Sequence, residues 1–269
     1  KEYGALYSSM PAINRIYEIL NSASDWEKEG TLEPEPFFKE SIRFENVNFG
    51  YNVDTSILNS ITFTIKKGSY IGIMGRSGVG KTSLFGLLVR IYDPQEGKIL
   101  VDDLDIREFR LSHLRSNIGM MSQDNFLFNT SIRANMILAK PEASEADMRS
   151  ALTKAGLMTF IESQDKGLDA PVGENGRNLS GGQRQRLSLA VLFLQDPQII
   201  IIDEGTSSVD GETERHILQS LGNLHRDGRT IIMSSHRESA MIHTEVVYEM
   251  KDGLLSHRRR ANDASHDTQ

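Results

Sequence analysis

The sequence predicts an α/β fold in which a mainly parallel sheet is covered by helices on both faces. Apolar stretches of strand length alternate along the chain with stretches of helical periodicity, which is typical of a parallel sheet. In addition, the four successive isoleucines at 199–202 indicate a strand that is buried on both faces.

A glycine-rich motif joins a predicted strand, 70–74, to a predicted helix whose leucines at 84, 87 and 88 share one face. The motif has the pattern G-x-x-x-x-G-K-[ST] and consists of Gly75, Arg76, Ser77, Gly78, Val79, Gly80, Lys81 and Thr82. Its backbone N–H groups and the helix N-terminus would surround phosphates, Lys81 would reach the β- and γ-phosphates, and Thr82 would bind Mg²⁺. A plain strand-to-helix turn is the alternative interpretation of this motif alone.

The composition limits the possible partners and compartments. The chain has 269 residues, 38% hydrophobic and 25% charged, which is ordinary for a soluble globular protein. Its net charge of −7 argues against a nucleic-acid surface, and the absence of cysteine fits a reducing compartment. No apolar run is long enough to span a membrane. Because the chain begins at Lys1 rather than Met, we expect an upstream part to be missing.

The other elements are predicted in chain order. Residues 1–20 have helical spacing, 21–40 read as a linker, and the folded domain is expected to begin near Ser41. Residues 124–178 read as a helical insertion, and the segment from Ser256 is expected to be a polar tail. Further strands are predicted near 42–49, 61–65, 98–101, 118–121, 230–233 and 246–250, and helices near 144–157, 158–163, 180–196 and 217–224.

Two acidic residues follow the isoleucine strand directly. Asp203 is placed to hold the water shell of Mg²⁺, and Glu204 could polarise a water for attack on a γ-phosphate. Two solvated carboxylates at a strand end are the alternative, which the four preceding isoleucines disfavour because they aim the pair at a cleft.

Taken together, these motifs resemble the nucleotide-binding domain of ATP-binding cassette (ABC) transporters over about residues 42–253. The segment 179–183 spells that family's signature sequence, and the phosphate loop, signature, Asp-Glu pair and His236 occur in family order. The resemblance implies a P-loop NTPase core with a mainly parallel sheet, an N-terminal antiparallel β subdomain, and a helical subdomain over about 124–190.

The resemblance also implies roles for single residues. Tyr51 would stack on adenine, Gln123 would sense Mg²⁺ and the attacking water, and Asp210 would couple two sites. His236 would contact the γ-phosphate and orient Glu204. Ser83 joins the phosphate loop as an ATP-binding residue, and Thr82, Gln123 and Asp203 form the implied metal site. The signature residues Leu179, Ser180, Gly181, Gly182 and Gln183 would contact ATP bound to a second subunit.

Three segments are similar to the exporter branch of the family: residues 123–135, residues 173–176, and residues 8–20. The last resembles the cytoplasmic end of a final membrane helix, so residues 1–40 would link a transmembrane domain to the ATPase domain. Two positions depart from the family pattern. Val191 replaces an arginine, and Gly205 stands where alanine is common.

The sequence therefore predicts the ATPase domain of an ABC exporter at the cytoplasmic face of a membrane. It would use ATP and Mg²⁺ and would pair head to tail with a second copy or a homologous domain. Three alternatives remain: a soluble ABC ATPase acting on DNA or ribosomes, a regulatory module that binds ATP without hydrolysing it, and an importer ATPase.

Overall fold

A computed structural model describes residues 30–52, 55–122, 126–204 and 211–258. Within these ranges, ten strands form two sheets. They are β1 (Ser41–Phe49), β2 (Leu58–Lys66), β3 (Tyr70–Met74), β4 (Glu96–Val101), β5 (Leu104–Asp105), β6 (Ile118–Met121), β7 (Ile199–Asp203), β8 (Thr230–Ser235), β9 (Val246–Lys251) and β10 (Leu254–Arg258).

Seven α-helices lie in the described ranges. They are α1 (Lys81–Leu88), α2 (Leu111–Asn117), α3 (Ile132–Ala139), α4 (Glu145–Lys154), α5 (Met158–Glu162), α6 (Gly181–Gln195) and α7 (Gly211–Arg226). No helix in these ranges combines the length and the hydrophobicity that a membrane crossing requires.

The larger sheet has the strand order β10-β9-β3-β8-β7-β6 and is parallel except for the β9–β10 pair. The smaller sheet is antiparallel, with the order β2-β1-β4-β5. Between β6 and β7 the chain forms α3 to α6, which pack together in the predicted helical region. The α/β fold with an N-terminal antiparallel sheet and a helical insertion is thus confirmed.

The strand of four isoleucines is buried on both faces, as predicted. Ile200 and Ile202 pack with the cores of α6 and α7, whereas Ile199 and Ile201 pack with α1 and the antiparallel sheet. The large sheet therefore separates two apolar cores, and its strand ends are fixed from both sides.

The structured region begins before Ser41. Phe37 and Phe38 are fully buried in the core around α1, and the backbone N–H groups of Glu40 and Ser41 donate to the Asp102 carboxylate at 2.8 and 3.0 Å. The part of the expected linker from residue 30 onward is therefore packed onto the domain, because two adjacent phenylalanines anchor a segment that is otherwise polar.

The expected polar tail also starts later than Ser256. Residues Leu254–Arg258 form the edge strand β10, which pairs antiparallel with β9. An edge strand buries little of its surface, so its residues can be polar. The segment therefore shows no alternation of apolar residues from which a strand could be predicted.

Candidate functional site

The phosphate-loop motif lies between the end of β3 at Met74 and the start of α1 at Lys81. Gly80 has a φ of +108°, and a Cβ there would lie 2.8 Å from Leu58 Cδ2. At Gly75 a Cβ would lie 2.6 Å from the carbonyl oxygen of Met250. Glycine is therefore required at both positions, by backbone conformation at the first and by close approach at both.

Lys81 is buried at the base of this loop. Its Nζ donates to the carbonyl oxygens of Gly75 and Arg76 at 2.8 and 2.9 Å, and it lies 3.0 Å from Glu204 Oε1. Lys81 is 4% exposed and Glu204 is 9% exposed. The two predicted catalytic residues thus form a buried ion pair that a bound phosphate would have to rearrange.

Asp203 lies at the carboxyl end of β7 with both oxygens hydrogen-bonded to hydroxyl groups. Thr82 Oγ1 donates to Oδ2 at 2.5 Å, and Ser234 Oγ donates to Oδ1 at 2.6 Å. The structure therefore brings together Thr82 and Asp203, two of the three residues predicted to form a metal site.

Glu204 follows Asp203 in a left-handed backbone conformation with a φ of +49°. Its N–H donates to Ser234 Oγ at 3.0 Å. His236, half exposed, places Nδ1 4.0 Å from Glu204 Oε2, which is longer than a hydrogen bond. The predicted pair of Glu204 and His236 is thus assembled on the ends of neighbouring strands.

Tyr51 lies beside the same loop. Its hydroxyl is 2.9 Å from Ser83 Oγ, and its ring packs edge-on against Phe49 and Tyr92 at centroid distances of 5.2 and 5.3 Å. Tyr51 is 54% exposed, so part of its side chain is available for stacking. A cleft of about 210 Å³ opens here, lined by Tyr51, Ile57, Ser77, Gly78, Gly80, Lys81, Thr82, Ser83 and Glu204.

The signature segment begins α6 and is not among the residues that line this cleft. Ser180 is the N-cap. Gln183 N donates to Ser180 Oγ at 3.2 Å, and Ser180 N donates to Gln183 Oε1 at 2.8 Å, which completes a capping box. Arg184 donates to the carbonyl oxygen of Leu179 at 2.9 Å and holds the preceding turn against the helix.

Three of the positions discussed from the sequence, Gln123, Gly205 and Asp210, lie outside the described residues. Val191, which stands in place of an arginine, is partly buried and packs against the core of the helical region. The position thus contributes an apolar contact here.

The donor set around Asp203 fits Mg²⁺. Carboxylate and hydroxyl oxygens are the ligands this cation prefers, and Thr82 Oγ1 and Asp203 Oδ2 are already adjacent at the mouth of the phosphate loop. Asp203 is 1% exposed, so its charge is compensated only by its immediate surroundings.

Sequence reasoning missed Ser234. It is a fully buried hydroxyl in a strand that reads as apolar, and its side chain contacts both carboxylate residues. Ser234 lies two residues before His236 in the sequence, near the end of the strand that leads to this predicted functional residue. This proximity in the sequence was the available signal.

A P-loop nucleotide-binding domain is the class of protein that this fold and this site define. A strand, a glycine-rich loop and a helix present a buried lysine, a threonine and one carboxylate to a single cleft, and a second carboxylate accepts from that threonine. The family model described as "ABC transporter" matches residues 58–207. The chain belongs to the ABC transporter family and is an ATP-binding domain homologous to those of its exporters.

Two curated relatives are similar to this chain over most of its length. The chain is 45% identical over 81% of its length to the heterocyst differentiation ATP-binding protein HepA of Nostoc sp., and covers 36% of that protein. It is 36% identical over 97% of its length to the β-(1→2)glucan export ATP-binding/permease protein NdvA of Rhizobium etli, and covers 44% of it. The chain thus spans less than half the length of these relatives.

One solved structure has a similar fold and a similar sequence. It is a bacterial Atm1-family ABC exporter with ATP bound, to which the chain is 34% identical with a TM-score of 0.81. The match covers 88% of this chain and 41% of that one.

Proposed function

We propose that this chain hydrolyses ATP and, as part of a longer transporter, uses the energy to export a substrate across a membrane. The observation that carries the proposal is the convergence of Lys81, Thr82 and Glu204 on one cleft beside Tyr51, with Asp203 hydrogen-bonded to Thr82. These residues supply a lysine for the phosphates, oxygen ligands for Mg²⁺ and a carboxylate to activate water, which supports phosphoryl transfer to water.

The chemistry is an attack of water on the γ-phosphorus, with cleavage of the bond to the β–γ bridging oxygen, which gives ADP and inorganic phosphate. The γ-phosphate draws Lys81 Nζ away from Glu204 Oε1 because three phosphate oxygens offer it more charge than one carboxylate. Glu204 is then available to orient the water and accept its proton.

The remaining groups would neutralise the charge of the phosphates and orient the Glu204 carboxylate. Mg²⁺, when bound, supplies charge neutralisation of the phosphate oxygens. Thr82 and Asp203 would hold it. His236 Nδ1, already 4.0 Å from Glu204, would keep that carboxylate turned toward the water.

A head-to-tail pair of these domains completes the proposal. Ser180, Gly181 and Gly182 begin a fifteen-residue helix whose N-terminus favours an anion, yet they do not line the chain's own cleft. This supports contact with ATP bound to a second copy or a homologous domain. Closure on ATP and release after hydrolysis would move an attached transmembrane domain, which would place this domain at the cytoplasmic face of the membrane.

The test is the rate of phosphate release as a function of protein concentration, for the native chain and for Glu204→Gln. We expect a rate per molecule that rises with concentration and falls at least about 100-fold in the variant. Glu145→Gln, on the exposed surface of α4, is the matched control and should leave the rate unchanged.

Two results would contradict the proposal. If the native chain binds no Mg-ATP in calorimetry, the site assignment is wrong. If it binds ATP but gives no turnover at any concentration, even when supplied with a homologous domain, the chain is a regulatory binding module.

A further inference from the structure

Ser234 connects the two carboxylate residues of the site. The strands β7 and β8 are parallel, and Asp203 is in register with Ser234. Neighbouring residues in register direct their side chains to the same face of a sheet. Both side chains are buried, Asp203 at 1% exposure and Ser234 at 0%.

The hydroxyl of Ser234 makes two hydrogen bonds with different partners. It donates to Asp203 Oδ1 at 2.6 Å and accepts from the backbone N–H of Glu204 at 3.0 Å. One oxygen atom therefore fixes the rotation of the Asp203 carboxylate and the position of the backbone that carries Glu204. The other Asp203 oxygen is directed to Thr82 as a result.

The backbone of Glu204 needs this support because it is strained. A φ of +49° is a left-handed conformation that a residue with a Cβ rarely adopts. The hydrogen bond to Ser234 satisfies the buried N–H in that conformation, which is also the one that directs Glu204 Oε1 to Lys81.

We propose that Ser234 is a positioning residue for ATP hydrolysis, an inference that rests on the function proposed above. It sets the distance between the metal-binding carboxylate and the carboxylate that orients water. The hydrogen bonds of its hydroxyl go to Asp203 and Glu204 rather than to the phosphate loop or Tyr51, so binding of ATP without metal should not depend on it.

Ser234→Ala tests this inference. We expect kcat to fall about 10- to 100-fold, the effect of a small displacement of catalytic groups, with a smaller rise in KM for Mg-ATP. In calorimetry, ATP affinity in EDTA should equal that of the native chain, while the gain in affinity on adding Mg²⁺ should shrink. Ser234→Thr retains the hydroxyl and should restore part of both quantities.

Thr230→Val is the matched control. Thr230 is a fully buried hydroxyl on the same strand, but it lies at the opposite end, where it accepts from Gly68 N–H at 2.8 Å. Loss of the Thr230 hydroxyl should lower thermal stability. It should leave unchanged both kcat and the gain in ATP affinity on adding Mg²⁺. Unfolding curves for all variants separate a folding defect from a positioning defect.

Each outcome decides the inference. Native values of kcat and of the Mg²⁺ gain in Ser234→Ala would overturn it while leaving the proposed function intact. So would equal effects in Ser234→Ala and Thr230→Val, since those would indicate a purely structural hydroxyl. If the native chain binds ATP without turnover, a role of Ser234 in hydrolysis is ruled out, whatever its effect on Mg²⁺ binding. If the native chain binds no ATP, the proposed function fails, and this inference fails with it.

Discussion

Lys81 and Glu204 form a buried ion pair across the cleft, with Nζ 3.0 Å from Oε1. Lys81 also donates to two carbonyl oxygens of its own loop, so all three of its protons are directed to protein atoms. The lysine that would bind the γ-phosphate thus holds the glutamate that would activate water. Binding of a phosphate to Lys81 would therefore compete with its ion pair to Glu204.

A double-mutant cycle measures this pair. Lys81→Met removes the cation beside a buried carboxylate and should lower the free energy of unfolding by about 3 kcal/mol in the absence of nucleotide. Glu204→Gln should cost much less, because Lys81 keeps its two carbonyl acceptors. The double variant should recover part of the loss, since no unpaired charge remains. Urea unfolding of the four proteins gives the coupling, and additive single effects would show that the pair does not contribute to stability.

Tyr51 is expected to contribute to ATP affinity through its ring and not through its hydroxyl. Tyr51→Ala should cost about 1–3 kcal/mol of binding, the usual value for one base stacked on an aromatic side chain. Tyr51→Phe should cost little, because it loses only the hydrogen bond to Ser83. Calorimetry with ATP measures both variants.

Inorganic tripolyphosphate provides the control for Tyr51, since it has the phosphates of ATP but no base. Its affinity should be the same for the native chain and Tyr51→Ala. A parallel loss of tripolyphosphate affinity would mean that Tyr51 supports the phosphate loop and does not bind adenine.

Some parts of this site could be predicted from the sequence and others could not, for a physical reason. Local patterns identified the phosphate loop and the strand before Asp203, because strand, loop and helix are contiguous in the chain. The contacts of Ser234 with Asp203 and Glu204 depend on the register of β7 against β8, which lie about thirty residues apart and are set by packing on both faces. Alternation predicts which face a residue occupies but not which residue lies beside it.

Gly80 and Gly78 should differ in their tolerance of a side chain. Both have positive φ, +108° and +83°, so Ala should cost about 1–2 kcal/mol of stability at either position. At Gly78 a Cβ meets no atom within 4 Å, whereas at Gly80 it would also approach Leu58. Gly80→Ala should therefore lower the free energy of unfolding by about 1 kcal/mol more than Gly78→Ala does. Thermal unfolding without nucleotide compares them, and equal losses would refute the steric argument.

The capping box of α4 should add a pH-dependent contribution to stability. The Ser144 hydroxyl, and then its backbone N–H, donate to Asp147 and lower the pKa of this carboxyl group. Because the folded-state pKa is below the unfolded one of about 3.9, the contribution is complete above that pH and is lost as the pH falls through the folded value. Asp147→Asn should be less stable than the native chain at neutral pH, and the difference should shrink below about pH 4. Unfolding midpoints measured from neutral to acid pH check this, and a difference independent of pH would contradict it.

Ser180 has two roles in the proposed function, and one substitution separates them. As the N-cap of α6 it accepts from Gln183 N–H, and as a signature residue it would face the γ-phosphate on a second subunit. Aspartate caps a helix about as well as serine, so Ser180→Asp should keep the free energy of unfolding within about 0.5 kcal/mol. The added negative charge would repel a phosphate, so ATP-dependent dimerisation should be lost.

The same change at Ser131, the N-cap of α3, is the control and should leave dimerisation intact. Analytical ultracentrifugation with ATP, in the Glu204→Gln background that prevents turnover, measures the dimer. If Ser180→Asp still dimerises on ATP, the signature does not contact the second nucleotide, and the head-to-tail arrangement is wrong.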